Sequence, residues 1–520
     1  MKIKLFFSFM ALAFFGFILE GEEISKQQIV KKVQQYRRAN EHQIIKEFYQ
    51  LLSIPNVSND RVNIRRNAEF IKKMMQKRGI QSRLLKTKGN PVIFGELIVP
   101  DATQTLMFYI HYDGQPVDPS KWIDSKPFQP VLRNDKLEAG QQLPKPRAFP
   151  STAEQFQNQW RIYARSSSDD KAPIIALLTA LDALQQKGIA LRNNIKFILD
   201  GEEEAGSPNL HPCLKENRNL LSTDVLFMCD GPTYFSGEPT LFFGCRGIAS
   251  LEITVYGGNT NLHSGHFGNW APNPALQLSC LLSSMKDHEG KITIKGFYDD
   301  VVPLSPGEKI ALKAIPSYEK ELKKLYGFSD PENKKISLME AIQYPALNIN
   351  GLKSGWVGHQ ARTIIPASAT ASIDLRLVKG NKTERLIHKI IAHIKNQGYY
   401  VTDKEPDQKA RMLYHLIARV SVKEKGYPAY KISLDHPVSK KVIETLSSHQ
   451  NRKLVLIPSL GGSLPIYMFA DTLEVPIIGI PIANHDNNQH QPNENLRIEH
   501  LWDAIETFAL IFMMGDINKK

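Results

Sequence analysis

Cysteine is scarce: there are four in 520 residues (Cys213, Cys229, Cys245, Cys280), none in a Cys-x-x-Cys pair. That excludes a disulfide scaffold and a thiolate zinc module, whose cysteines recur at short fixed spacings. Long basic runs are missing as well. The chain carries 65 Lys and Arg against 53 Asp and Glu, a net charge of +12. The cations are scattered, so nucleic acid, which needs them clustered, is not an expected partner. No internal repeat and no low-complexity tract is found, and 42% of residues are hydrophobic. Packed cores are therefore expected and wholesale disorder is excluded.

A single long apolar run is present, at the start. Met1-Lys2-Ile3-Lys4 leads into residues 5–19, apolar apart from Ser8 and Gly16, and then Glu20. A short basic start before an apolar stretch of this length is a secretory pattern. Residues 1–22 are accordingly expected to be a signal peptide or an N-terminal anchor. The protein would then be exported, periplasmic or secreted, and would touch a membrane only if the segment stays uncleaved.

Beyond residue 22 the polar and apolar residues of 25–50 fall near helical spacing, and Pro55 and Asn56 end that pattern in a loop. Short apolar runs at 106–110, 195–199 and 225–228 read as strands covered on both faces, with an apolar helix over 172–184 between two of them. That alternation predicts an α/β sheet. Residues 126–159 show little periodicity and read as a long loop. A smaller α+β unit is expected from 251–256, 275–285, 369–378 and the helix-like 383–396, with 296–350 less regular. The first pattern then returns as helix 439–448 and strands 454–457 and 477–479, the order expected when one domain is inserted into another.

Chemistry is concentrated at strand ends. The run 106–110 is followed by His111-Tyr112-Asp113, 195–199 by Asp200-Gly201-Glu202-Glu203-Glu204, and 225–228 by Cys229-Asp230. Asp169-Asp170 follows the strand-like 160–164. In open α/β sheets such ends converge on ligand sites. Carboxylates gathered in one place repel one another unless a cation neutralises them, so the convergence predicts metal. Imidazole and carboxylate without thiolate suit zinc, and also manganese or cobalt. In His111-x-Asp113 the carboxylate can orient the histidine ring, and Glu203-Glu204 can divide labour between proton shuttle and ligand. A further histidine is expected from 484–494, where spacing leaves His485 and His490 both open.

Taken in order, seven stretches resemble one known group. They are His111-x-Asp113-Gly114, Ser168-Asp169-Asp170-Lys171, Asp200-Gly201-Glu202-Glu203-Glu204-Ala205-Gly206-Ser207, Asp230, Leu262-His263-Ser264-Gly265, Gly461-Gly462-Ser463-Leu464-Pro465 and His490-Gln491-Pro492-Asn493-Glu494. The group is the clan MH dinuclear-zinc peptidases and amidohydrolases, which include carnosinase, Xaa-His dipeptidases, acetylornithine deacetylase and glutamate carboxypeptidase. The resemblance implies a mixed-sheet α/β catalytic domain, residues 23–246 and 431–520, with an inserted α+β lid or dimerisation domain at 247–430. It implies two divalent metal ions per subunit held by His111, Asp169, Glu204, Asp230 and His490, with Asp169 bridging. Glu203 would be the general base and acid, and Asp113 would hold the ring of His111. His263 matches a lid histidine that reaches a partner's active site in dimeric members. Thr363, Arg376, Gly462 and Ser463 match groups that hold the substrate's carboxylate.

The sequence also departs from the group's pattern. Ala172 replaces the glycine after Asp-Asp-Lys, Ala164 and Ser166 replace two earlier glycines, and Leu460 stands where carnosinase-like members carry Glu. That Glu lies near the substrate's amino end. A metallopeptidase acting on dipeptides or short peptides, dipeptidase or carboxypeptidase, is therefore expected, with a deacylase of N-acyl amino acids as the alternative. A non-catalytic binding protein of the same fold is the third reading, and the full ligand set argues against it.

Overall fold

Three of the apolar runs form the middle of a sheet. In this computed structural model, which describes residues 24–135, 144–152, 154–447 and 452–517 without the side chains of 424 and 425, the eight strands of that sheet lie in a fixed order. They are Gln81–Leu85, Val92–Leu97, Asn194–Asp200, Thr105–His111, Val225–Met228, Ile477–Gly479, Thr240–Phe242 and Val455–Ile457. The central four are parallel and the flanking pairings are partly antiparallel, so the sheet is mixed.

Alternation of side chains explains why these strands are apolar throughout. Phe108 and Ile110 face one core with Phe197 and Phe227, beneath the helices Lys26–Leu52, Ala172–Gln186 and Ile498–Phe512. Met107 and Tyr109 face the opposite core with Ile198 and Leu226, beneath Leu210–Glu216 and Ile466–Leu473. A strand buried on both faces has no polar side to show, and each buried Phe or Leu removed from water contributes roughly 1.5–3 kcal/mol. Phe108 stacks on Phe227 with ring centroids 5.2 Å apart and meets Phe512 edge-on at 5.3 Å.

The register sets up the site. His111 is opposite Asp200 and Tyr109 is opposite Met228 in parallel ladders. The carboxyl ends of three adjacent strands therefore finish at one level, and the residues that follow them meet there.

A second, five-stranded sheet runs Ala346–Lys353, Ser368–Leu377, Gly247–Tyr256, Ile417–Tyr427, Tyr400–Thr402. The helices Pro274–Ser283 and Thr383–Asn396 close a separate core on it, built from Leu251, Ile253, Leu278, Leu386 and Ile390 among others. Its edge strand Ala346–Lys353 is exposed beyond Leu347.

Several elements differ from the sequence reading. The strand-like 160–164 is the strand Arg161–Tyr163, but it pairs in a small separate sheet with Val131–Arg133 and Asn495–Arg497. The expected long loop 126–159 thus contributes one of those strands. The irregular 296–350 holds the helices Pro306–Ala314, Glu319–Tyr326 and Leu338–Ala341. Short helices have too few turns to establish a period, which is why they escaped. Residues 1–22 lie outside the described residues, and no described helix is long and apolar enough to cross a membrane.

Candidate metal centre

His111 is the last residue of its strand and is fully buried. Its Nε2 lies 2.8 Å from Asp169 Oδ1 and 4.0 Å from Asp230 Oδ2. The second oxygen of Asp169 lies 3.1 Å from His490 Nε2, which is 3.3 Å from Glu204 Oε2. Two three-residue groups result, His111–Asp169–Asp230 and Asp169–Glu204–His490, with the ligand atoms of each within 4.8 Å of one another. Asp169 belongs to both. His485 instead packs its ring against Phe235, with centroids 5.3 Å apart.

Asp113 ties two strand ends together. Its carboxylate accepts from the backbone N–H groups of Glu203 (3.0 Å) and Glu204 (3.1 Å). His111 Nδ1 lies 3.1 Å from the Asp113 carbonyl oxygen and 3.5 Å from its Oδ1. One acid thus fixes both an imidazole and the turn that carries the Glu203-Glu204 pair. That turn, Glu203–Ala205, ends at Gly206 with φ +82°, a left-handed conformation that glycine adopts without penalty.

Three further groups were missed by sequence reasoning. The buried carboxylate of Glu494 accepts five hydrogen bonds, from Arg165 Nη1 (2.7 Å), Ser166 N (2.9 Å), Ser168 N (3.0 Å), Ser168 Oγ (2.9 Å) and Asp169 N (3.0 Å). It clamps the loop that presents Asp169. Its signal was its place at the close of the His490 stretch. Gln115 Nε2 donates to Glu204 Oε2 (2.7 Å) and Gln489 Nε2 to Asp169 Oδ2 (3.0 Å). Each glutamine immediately neighbours or closely follows a ligand stretch, but nothing in its type marked it. His490 itself sits at φ +62°, between Asn488 (+57°) and Asn493 (+60°). A non-glycine residue held there marks a loop fixed by its surroundings.

The electrostatics call for a cation. Burial raises Glu204 to about 7, with the charge of Asp169 adding to it, and raises Asp230 to about 6, again with help from Asp169. Burial likewise lifts Glu203 well above the usual carboxylate range. For Asp169 the hydrogen bonds from His111 and His490 outweigh burial and hold it below that range. Acids so crowded stay protonated unless positive charge enters, and two imidazoles with three carboxylates are a hard-to-borderline donor set suited to divalent ions.

The remaining site residues form two other clusters. His263 and Thr363 meet on a two-stranded ribbon, Leu262–His263 with Ile364–Ile365, where Ser264 N donates to Thr363 O at 3.0 Å. Both are exposed. Arg376 donates to Asp374 (3.0 Å) and to Ser463 Oγ (3.3 Å), beside Gly462. Arg246, also missed, braces this loop: its N–H donates to the carbonyls of Leu460 and Gly462, and its Nε to Gly461 O at 3.3 Å. Burial, and then the charge of Arg376, lower the Arg246 guanidinium to about 10. Among the described residues no hydrogen bond or ion pair joins the ligand cluster, the ribbon and the arginine cluster to one another.

Comparison with known proteins settles the kind of molecule this is. Residues 143–514 match peptidase family M20/M25/M40. The chain belongs to that family. It is a metallopeptidase, so the non-catalytic reading is set aside, and dipeptidase function is the activity its named relatives carry. A Cys-Gly metallodipeptidase of Schizosaccharomyces pombe is 25% identical over 486 residues, covering 88% of this chain and 92% of its own. The human Beta-Ala-His dipeptidase is 24% identical over 434 residues, covering 81% and 77%. The M20 metallo-carboxypeptidase of Sulfolobus solfataricus has a TM-score of 0.67 at 28% identity, covering 91% of this chain and 98% of its own. The M20 family is metal-dependent, in keeping with the two ligand groups. The expectation of export is corrected: the fungal Cys-Gly metallodipeptidases are cytosolic enzymes. An apolar run at the chain start, outside the described residues, was its sole support.

Proposed function

We propose that the chain is a dipeptidase that hydrolyses the amide bond of small dipeptides with two divalent ions, zinc in the first place, held by His111, Asp169, Glu204, Asp230 and His490. The observation that carries this reading is the sharing of Asp169 by two three-residue groups, beside a Glu203 whose backbone is pinned by Asp113. Ions bound there would polarise the scissile carbonyl and acidify the attacking water. Glu203 takes the water's proton and delivers it to the leaving amine nitrogen. Asp113 keeps the ring of His111 and the Glu203-Glu204 turn in place. Arg376 binds the substrate's terminal carboxylate with its planar fork, and Ser463, Gly462 and Thr363 complete that subsite.

In this reading the catalytic domain is 23–246 with 431–520, and the lid is 247–430. His263 acts on the oxyanion in a second copy's site, so the enzyme is a homodimer joined through the lid. Support comes from apolar lid residues left exposed, Trp270 and Val357 at 79% and 84%, and from the open edge strand Ala346–Lys353.

One observation favours a second reading. Leu460 packs against an apolar cluster where an acid would meet a free amine, so the alternative is a deacylase of N-acyl amino acids. The test is to strip the protein of metal, restore zinc, manganese or cobalt separately, and measure release from unblocked dipeptides, N-acyl amino acids and short peptides. Dipeptide hydrolysis restored by zinc is expected. Cleavage of acyl amino acids alone would replace the dipeptidase by the deacylase, and turnover unaffected by chelation would sink both.

A further inference from the structure

Away from the metal ligands, none of which lines it, the segment 286–346 encloses a cavity of about 760 Å3. A second cavity of about 410 Å3 adjoins it, and Leu304, Lys309, Leu322, Leu338 and Tyr344 line both. Small-molecule sites typically measure about 300–1,000 Å3 and are mostly apolar with a few placed polar groups. Here Ile292, Val302, Leu304, Leu322, Phe328 and Leu338 form the apolar wall. The helix Glu319–Tyr326 lines it with Glu319, Leu322 and Lys323, and none of its residues is buried. An amphipathic helix that buries nothing leaves its apolar side uncovered.

The charge at the wall is unbalanced. Lys286 is paired with Glu332 and Glu289 with Lys335, while Glu319 accepts from Leu338 N. Lys291, Lys309 and Lys323 have no ion pair within 4.0 Å among the described residues. Three lysines without a contact ion pair, against the carboxylate of Glu319 that lines both cavities, leave the chamber with an excess of positive charge, with Asp287 near Lys291 and Asp330 near Lys323.

We propose that this cavity binds an amphipathic carboxylate, an apolar chain ending in one anionic head group, as an effector of the enzyme. The wall continues into the arginine cluster. Gln343 Nε2 donates to Ser459 O at 3.2 Å, and Tyr344 O lies 3.5 Å from Arg246 Nη1, the side chain that braces Leu460 to Gly462. A ligand that settles the wall therefore settles the loop carrying Ser463, which changes substrate binding and leaves the proton-transfer machinery alone.

Decanoate is the probe, titrated calorimetrically into the metal-loaded full chain below its micelle concentration. Saturable one-to-one binding is expected, weakened roughly tenfold for 1-decanol and for the double variant K309E/K323E. The double variant K309R/K323R should bind as the parent does, and Leu304→Trp, which narrows the junction of the two cavities, should bind at least roughly tenfold more weakly while melting as the parent does. Decanoate should shift KM for a dipeptide at least about twofold at constant kcat in the parent and not in K309E/K323E, whose unliganded kinetics should be those of the parent. No saturable binding, equal binding of decanol, or binding indifferent to both charge reversal and the Leu304 substitution overturns the site. Binding without a KM shift overturns its role as an effector site. The titration reads binding without turnover, so it stands or falls apart from the choice of substrate.

Discussion

The sheet end that gathers the candidate metal ligands and the lid elements that carry His263, Thr363 and Arg376 are built to different standards. At the first, His111, Asp169 and Asp230 are buried, Asp113 holds the Glu203-Glu204 turn and Glu494 the loop of Asp169, while His490 is exposed. At the second, His263 and Thr363 are exposed, and Arg376 spends part of its fork on Asp374 and Ser463. A metal site must be rigid before its ion arrives, because misplaced ligands lose affinity. A substrate clamp can be completed on binding, by closure or by a second copy. The difference separates what the chain fixes in advance from what it leaves open until substrate binds.

The largest expected effect falls on the rigid side. Glu203→Gln should reduce kcat by about 10^3-fold or more, while metal analysis still finds both ions. Near-normal turnover would break the division just drawn. Next is the anchor of the loop that carries His490. Fully buried Arg161 pairs with Asp486 at 2.9 Å, and Asp486→Asn should cost about 3 kcal/mol in a denaturant titration, since it strands a buried charge. Burial alone would raise the Asp486 carboxyl, but the Arg161 hydrogen bonds and charge outweigh it and hold it well below its ordinary value. Its folded pKa is therefore below the unfolded one near 4, so its contribution is present above that pH and fades as pH falls further. The parent's melting temperature should drop more steeply than the variant's on acidification from about pH 5 to pH 2.

On the lid side the effects are smaller and of another kind. Arg376→Met should raise KM roughly 10- to 100-fold for a dipeptide with a free carboxylate, and far less for its carboxamide. An equal loss for both would remove Arg376 from the carboxylate subsite. Thr363→Ala, one neutral hydrogen bond, should raise KM only about two- to tenfold with kcat unchanged.

Legibility in the sequence follows the same division. The strands 106–110, 195–199 and 225–228 could be read because burial on both faces leaves an unbroken apolar run, and the residues behind them became site candidates by position alone. The helices Ile466–Leu473 and Ile498–Phe512 were not read, although Asp471 on the first and Glu499 and Asp503 on the second mark a more polar side. Glu494 was legible as part of a stretch but not as a clamp, since its partners lie more than 300 residues away. Arg246, Gln115 and Gln489 act through geometry that no local pattern encodes. The small sheet that took Arg161–Tyr163 shows the same limit: the run looked like a strand, but one of its partners, Asn495–Arg497, comes from more than 300 residues away.

The clamp at Glu494 has a consequence for how the protein comes into being. The loop that presents Asp169 is held by a carboxylate that is synthesised after the whole lid, and the five hydrogen bonds between them span some 325 residues of sequence. Contacts of such separation form late, after the costly closure of the intervening chain. A nascent chain that has emerged through the lid already contains His111, Asp169, Glu204 and Asp230, yet lacks both His490 and the group that holds Asp169 in line. If those residues hold the ions as proposed, hydrolysis must wait until the segment carrying His490 and Glu494 has been made and has closed on the loop of Asp169.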